Sequence, residues 1–136
     1  MKRTATAVWK GSGKEGTGTM TSKSTAINNA QYSYKSRFEQ GVGTNPEELI
    51  AAAHSGCYSM KLSFILGAAG FEPESIETTS EVELDNGVIK SSHLIVKAKV
   101  PGITPEKFQE CAMDAKENCP VSKALSITIT LDAQLA

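Results

Sequence analysis

The sequence predicts an α+β domain, on three observations. Stretches of period-two alternation occupy both ends of the chain, a long apolar helical run fills the middle, and further helical segments separate the later strands. At 136 residues, 40% hydrophobic and 21% charged, residues 1–136 read as a single domain. Ordinary usage of Gly (11) and Pro (5) excludes collagen-like and low-complexity classes. A formal charge of −1 leaves no bulk attraction for nucleic acid or an anionic membrane surface. Met1-Lys2-Arg3 runs into polar, threonine-rich sequence without an apolar stretch, so the expectation is no secretory leader and a cytoplasmic location.

Thr4 to Lys10 and Gly16 to Ser22 are the first two expected strands, with Gly11-Ser12-Gly13-Lys14 as a turn region. Tyr32 to Glu39 reads as a third. Tyr32, Tyr34, Ser36 and Phe38 share one face, and Ser33, Lys35, Arg37 and Glu39 the other, which makes Arg37 a solvated charge. A helix opens next: Asn45 suits the N-cap, Pro46 the first helical position, and Glu48 gives a capping-box spacing. From Pro46 to about Ala69 the apolar residues point all round, which marks a buried helix, and Lys61 is the one charge between Leu49 and Gly70. A mid-segment lysine costs roughly 2.5–3.5 kcal/mol in a bilayer, and the Ala, Ser, Gly and His content offsets too little of it, so no membrane span is expected. At 1.5 Å per residue the helix is roughly 35 Å long. One small subunit can hardly cover every side of it; a second subunit can.

Ile76, Thr78, Ser80, Val82 and Leu84 then alternate with Glu77, Thr79, Glu81 and Glu83 in a half-buried strand. Asp85-Asn86-Gly87 turns the chain into Val88 to Val100, with Leu94, Val96, Ala98 and Val100 facing inward. Pro105 starts a helix with the stripe Phe108, Cys111, Ala112 and Ala115. Cys119-Pro120-Val121-Ser122 opens a short helical turn, and Ile127 to Leu135 closes the chain as a strand.

Three cysteines are too few, and odd in number, for a disulfide-stapled secreted domain. Cys111 lies on an apolar stripe and reads as packing. Cys57 sits mid-helix, where position alone favours a core cysteine, but Ser55, Gly56 and Ser59 around it are small enough to let another molecule approach. Cys119 precedes Pro120 at a helix start, whose free N–H groups lower a thiol pKa from about 8.5. By that local argument Cys119 is the more acidic thiol. His54, Cys57 and Cys119 were they metal ligands would lack any C-x-x-C pair, so no metal is expected; His93 reads as a surface histidine.

Arg37-Phe38-Glu39, Gly43 through Met60 with its Ala51-Ala52-Ala53-His54-Ser55-Gly56-Cys57 core, and Cys119-Pro120-Val121-Ser122 together resemble the OsmC/Ohr family of thiol peroxidases. The Ala-Ala-His form is more similar to the OsmC branch. The resemblance runs end to end in element order. It implies an OsmC-like fold, antiparallel sheets around a long buried central helix, an intertwined homodimer, and no cofactor. It further implies that Cys57 attacks the peroxide, that Cys119 resolves the product, and that Arg37 pairs with Glu47 beside the attacking thiol. Cys111 has no place in the pattern, and Glu48 reads as a capping residue.

The chemistry fits those residue types. A thiolate attacks a peroxide oxygen, giving sulfenic acid and an alcohol or water, and a second thiol converts the sulfenic acid to a disulfide that an external dithiol, lipoyl-type or other, reduces. A guanidinium stabilises the thiolate and the leaving oxygen, and a carboxylate holds it by a bidentate contact. Glu47 and Cys57 stand ten residues apart, roughly 15 Å along a straight helix. Either the first turn bends away, or Arg37 and Glu47 serve the Cys57 of a second chain; the second option is preferred. The acidity order stays in conflict with the resemblance. Cys57 is preferred as attacker because an arginine acts at full charge and a helix end at about half. A thiol–disulfide reductase and a non-catalytic dimeric binding protein remain the alternative functions.

Overall fold

The computed structural model describes residues 1–136, and the chain divides into two units, Met1–Leu49 and Ile50–Ala136. In the first, β1 (Ala5–Lys10), β2 (Thr17–Ser22) and β3 (Ala30–Tyr32) form an antiparallel sheet in sequence order. Trp9 and Tyr32 meet across β2 with ring centroids 5.3 Å apart. Gly18 lies between them, where a Cβ would come within 2.6 Å of Trp9 and 2.5 Å of Tyr32. None of the hydrophobic side chains of Met1–Leu49 is fully buried.

The expected third strand, Tyr32 to Glu39, is corrected. Only Ala30–Tyr32 is extended, and Tyr34–Phe38 is a short helix, α1. Ser33 and Ser36 form a reciprocal capping box: Ser36 N–H donates to Ser33 Oγ (3.2 Å) and Ser33 N–H to Ser36 Oγ (2.8 Å). Two satisfied backbone donors outweigh the weak alternation that suggested a strand.

Helix α2 runs without interruption over Pro46–Ala68. Asn45 caps it, accepting from Glu48 N–H at 2.7 Å. The reciprocal half of the expected box is replaced, because Glu48 Oε2 accepts from the Thr44 hydroxyl instead (2.7 Å). Asn45 Nδ2 also donates to Ser36 O (2.9 Å), joining the end of α1 to the start of α2. By length and composition alone α2 would also pass as a membrane span. One face, with His54, Tyr58, Leu62 and Leu66, is fully buried, whereas Gly56, Met60 and Phe64 on another face are exposed, the last two at 65% and 70%. The buried helix expected from the sequence is thus corrected for the single chain, which fully covers only one face of it.

In the second unit β4 (Ser75–Asp85) and β5 (Val88–Lys99) form an antiparallel hairpin with a register shift at Glu83/Leu84. Asn86 (φ 52°) and Gly87 (φ 73°) supply the positive φ angles that a two-residue hairpin turn requires. Helices α3 (Pro105–Asn118) and α4 (Pro120–Ala124) lead to β6 (Thr128–Leu135), which pairs parallel with β5. The expectation of purely antiparallel sheets is therefore corrected for this edge. The intervening helices provide the crossover that a parallel pair needs. The core is contiguous: Tyr58, Leu62 and Leu66 of α2, Leu94, Val96 and Ala98 of β5, and Phe108, Cys111, Ala112 and Ala115 of α3. The α3 stripe is the one expected from the sequence.

Candidate active site

Cys57 and Cys119 are both free thiols, and they are near enough for each to bear on the other's acidity. Helix α2 presents Cys57 one residue before the buried anchor Tyr58, whose hydroxyl donates to Ala112 O at 3.0 Å. Cys119 ends α3 and caps α4. Its sulfur accepts from Ser122 N–H at 3.4 Å and from the Ser122 hydroxyl at 3.5 Å. The helix-start position expected from Pro120 is thus the observed one.

The two sulfurs differ in access. Cys119 is fully buried, whereas Cys57 is partly open to a cavity of about 330 Å³ lined by Gly56, Met60, Lys61, Phe64 and Pro120. They also differ in acidity. Burial raises the Cys57 thiol, and the neighbouring Cys119 raises it further, against opposing help from the Val121 N–H and Lys61. Burial works to raise Cys119 as well, but the Ser122 hydroxyl and N–H, Cys57 and the Val121 N–H outweigh it and hold this thiol below its ordinary value. Within one chain Cys119 is the more acidic thiol, as its capping position implies.

His54 is fully buried behind this pair, and both ring nitrogens are taken: Nδ1 by Ser92 Oγ at 2.6 Å and Nε2 by Ser122 Oγ at 2.8 Å. Ser80 Oγ continues the chain to Ser92 at 2.8 Å. Burial lowers the His54 pKa, which favours the neutral ring. Sequence reading missed Ser80, Ser92, Ser122 and Lys61. Ser80 stood on the inward phase of its strand, the single signal that could have flagged it. Cys111 packs in the core, with burial raising its thiol. His93 is half-buried rather than fully surface, its Nδ1 2.6 Å from Thr130 Oγ1.

In the first unit, Arg37 of α1 donates through Nε to Glu47 Oε1 at 2.8 Å. The expected bidentate contact is corrected to this single one. Glu47 is buried, and its Oε2 has no hydrogen-bond partner. The guanidinium lies 5.2 Å from the Phe38 ring centre, beside a hollow lined by Trp9, Tyr32, Tyr34 and Phe38. Glu47 and Cys57 belong to one unbroken helix, α2, from its first turn on. The bent first turn, one of two expected options, is therefore not observed.

Residues 39–133 match the family model of the OsmC-like proteins. The chain belongs to the OsmC family. Peroxiredoxin OsmC of Escherichia coli strain K12 is 47% identical over 133 residues, 95% of this chain and 93% of that protein. Organic hydroperoxide resistance protein OhrB of Bacillus subtilis strain 168 is 30% identical over 106 residues, 71% of this chain and 73% of that protein. The crystal structure of Bacillus subtilis OhrB aligns over 98% of both chains with a TM-score of 0.68 and 26% identity. An OsmC-like protein of Vibrio cholerae aligns with a TM-score of 0.76 at 16% identity over 98% of this chain and 99% of the other, which shows the fold alone. The OsmC-like α+β fold with two sheets and a long helix is thereby established. The expected enzyme class, a thiol-dependent peroxide reductase, is the one these relatives' names carry.

Proposed function

We propose that this OsmC-family chain reduces organic hydroperoxides, and hydrogen peroxide less well, with Cys57 as attacking and Cys119 as resolving thiol. Relatives named as a peroxiredoxin and as organic hydroperoxide resistance proteins support the peroxidase role. The observation that carries the finer reading is the pair of neighbouring free thiols, of which only Cys57 opens to a cavity. The Cys57 thiolate attacks the peroxide oxygen, the O–O bond breaks, and an alcohol leaves with a proton. Cys119 thiolate then attacks the Cys57 sulfenic sulfur, the S–O bond breaks, and hydroxide leaves, taking a proton from solvent to become water as the disulfide forms. An external dithiol restores both thiols.

Met60 and Phe64 give the mouth beside Cys57 an apolar wall, which suits an alkyl or aryl peroxide better than hydrogen peroxide. Arg37, held by Glu47, is read as the cation that lowers the Cys57 thiol and donates to the departing oxygen. Helix geometry separates Glu47 from the Cys57 of its own helix by roughly 15 Å, which favours service to Cys57 of the partner subunit. The homodimer is supported by the exposed Gly56, Met60 and Phe64 face and by a first sheet without a buried apolar side chain. We read residues 1–136 as one functional domain acting in the cytoplasm.

The test treats the reduced protein with one equivalent of an alkyl hydroperoxide and takes an intact mass. Two hydrogens should be lost, and peptide mapping should join Cys57 to Cys119. Cys57→Ser should abolish peroxide consumption, and Cys119→Ser should react once and stop at sulfenic acid. A link to Cys111, or no reaction, would overturn the assignment.

A further inference from the structure

The polar chain behind the thiols is built at a cost that packing alone does not require. His54 is fully buried between two serines from distant parts of the sequence, Ser92 and Ser122, and a third, Ser80, extends the line. Burying polar groups in a core is unfavourable unless each is partnered, and here each finds the next. The line ends on one atom outside itself, the Cys119 sulfur.

We propose that His54 is a positioning residue that acts through Ser122 to hold Cys119 as a hydrogen-bonded thiolate ready for resolution. Donor counting fixes how it does so. A serine hydroxyl carries one proton. When the Ser122 hydroxyl donates to a Cys119 thiolate, its oxygen must accept from His54, so Nε2 carries the ring proton. Nδ1 is then the acceptor, and Ser92 donates to it while accepting from Ser80. Every group is satisfied with a neutral ring, and burial favours that neutral form. Without His54, the Ser122 hydroxyl is free to turn away from the sulfur. In the resolving step the Cys119 thiolate forms the S–S bond, the Cys57 S–O bond breaks, and the hydroxide leaves as water with a proton from solvent. The inference about role rests on the reading of Cys119 as the resolving thiol; the geometry does not.

Titratable groups bearing on Cys119 are Cys57 and Tyr58, both from α2; burial, and then the Cys119 charge, raise the tyrosine. The experiment therefore uses the full-length Cys57→Ser, Cys111→Ser protein and follows ultraviolet thiolate absorbance against pH. The same protein with Cys119→Ser is subtracted, which removes the tyrosines other than Tyr58, and burial keeps Tyr58 protonated throughout the range scanned. His54→Leu should raise the Cys119 midpoint by about one unit, as should Ser122→Ala, the size expected for losing one charge-assisted hydrogen bond. His54→Gln, whose amide can still donate to Ser122, should return the midpoint most of the way. In the chain with all three cysteines, Ser122→Ala should lengthen the sulfenic acid lifetime about tenfold while leaving its rate of formation alone. If His54→Leu does not fold, His54→Ala takes its place beside Ser122→Ala. An unchanged midpoint in His54→Leu or His54→Ala, or one that stays raised in His54→Gln, overturns the proposal. Failure to consume peroxide would instead strike at the peroxidase reading, since the titration involves no peroxide.

Discussion

Acidity and access point to different sulfurs. Cys119 has the depressed pKa but no surface, and Cys57 has the surface but a raised pKa within its own chain. A thiolate that no peroxide reaches cannot start the cycle, so access supports the proposed first step at Cys57, with Lys61 and the proposed arginine to supply its missing charge. Much of this was legible in the residues. Pro120 announced the cap at Cys119, and the stripe announced Cys111 as packing. His54 was not legible, because its partners stand 38 and 68 positions away and a serine carries no signal of what it will meet. The same histidine makes a pH prediction. Its folded pKa is lowered from 6.5, so below that value the unfolded chain takes up a proton that the folded chain refuses. Stability should be full above pH 6.5 and fall as pH drops toward the folded value. Denaturant midpoints at neutral pH and about one unit below 6.5 should converge in His54→Gln relative to the native chain. Equal losses in both proteins would assign the decline to other groups.

Elements were read well where burial patterned them and poorly where it did not. β4 alternates along its whole length as its side chains implied, and α3 buries the four residues of its stripe. Around Tyr32 to Glu39 nothing is deeply buried except Ser36, so the apparent alternation reported no real face. The parallel partner of β5 could have been inferred, since strand, helix and strand in succession is the sequence of a crossover. It was hidden because β6 itself alternates as any half-buried strand does. The joint between α1 and α2 is where element and site meet, for Asn45 caps the helix that carries Glu47 and binds the carbonyl of Ser36. Asn45→Ala should cost about 1–2 kcal/mol in chemical denaturation. Asn45→Asp should keep the cap and lose only the amide contact, so its destabilisation should be the smaller of the two. Equal costs would show the cap to be immaterial.

For the whole molecule the sequence suggested a helix too apolar for one subunit, and the chain indeed leaves Met60 and Phe64 uncovered. What it could not suggest was that no apolar side chain of the first sheet is fully buried, because its aromatic and β-branched residues look like core. If two chains share each site, mixing Arg37→Ala chains with Cys57→Ser chains should recover about a quarter of native peroxidase activity, since half the dimers are hybrids with one complete site. Absence of recovery after proven exchange of subunits would confine each site to one chain. If the proposed homodimer forms through this face, Phe64→Asp should shift the sedimentation of the native protein toward the single chain, and an unaltered profile would rule the face out as a dimer contact.

The solitary oxygen of Glu47 has its own bearing on this. Dry and unclaimed, it raises the free energy of any lone chain that folds this way, and a fresh donor arriving from a mate would relieve it. Newly made protein at high dilution should then idle, and its turnover per chain should climb with concentration until mates are plentiful.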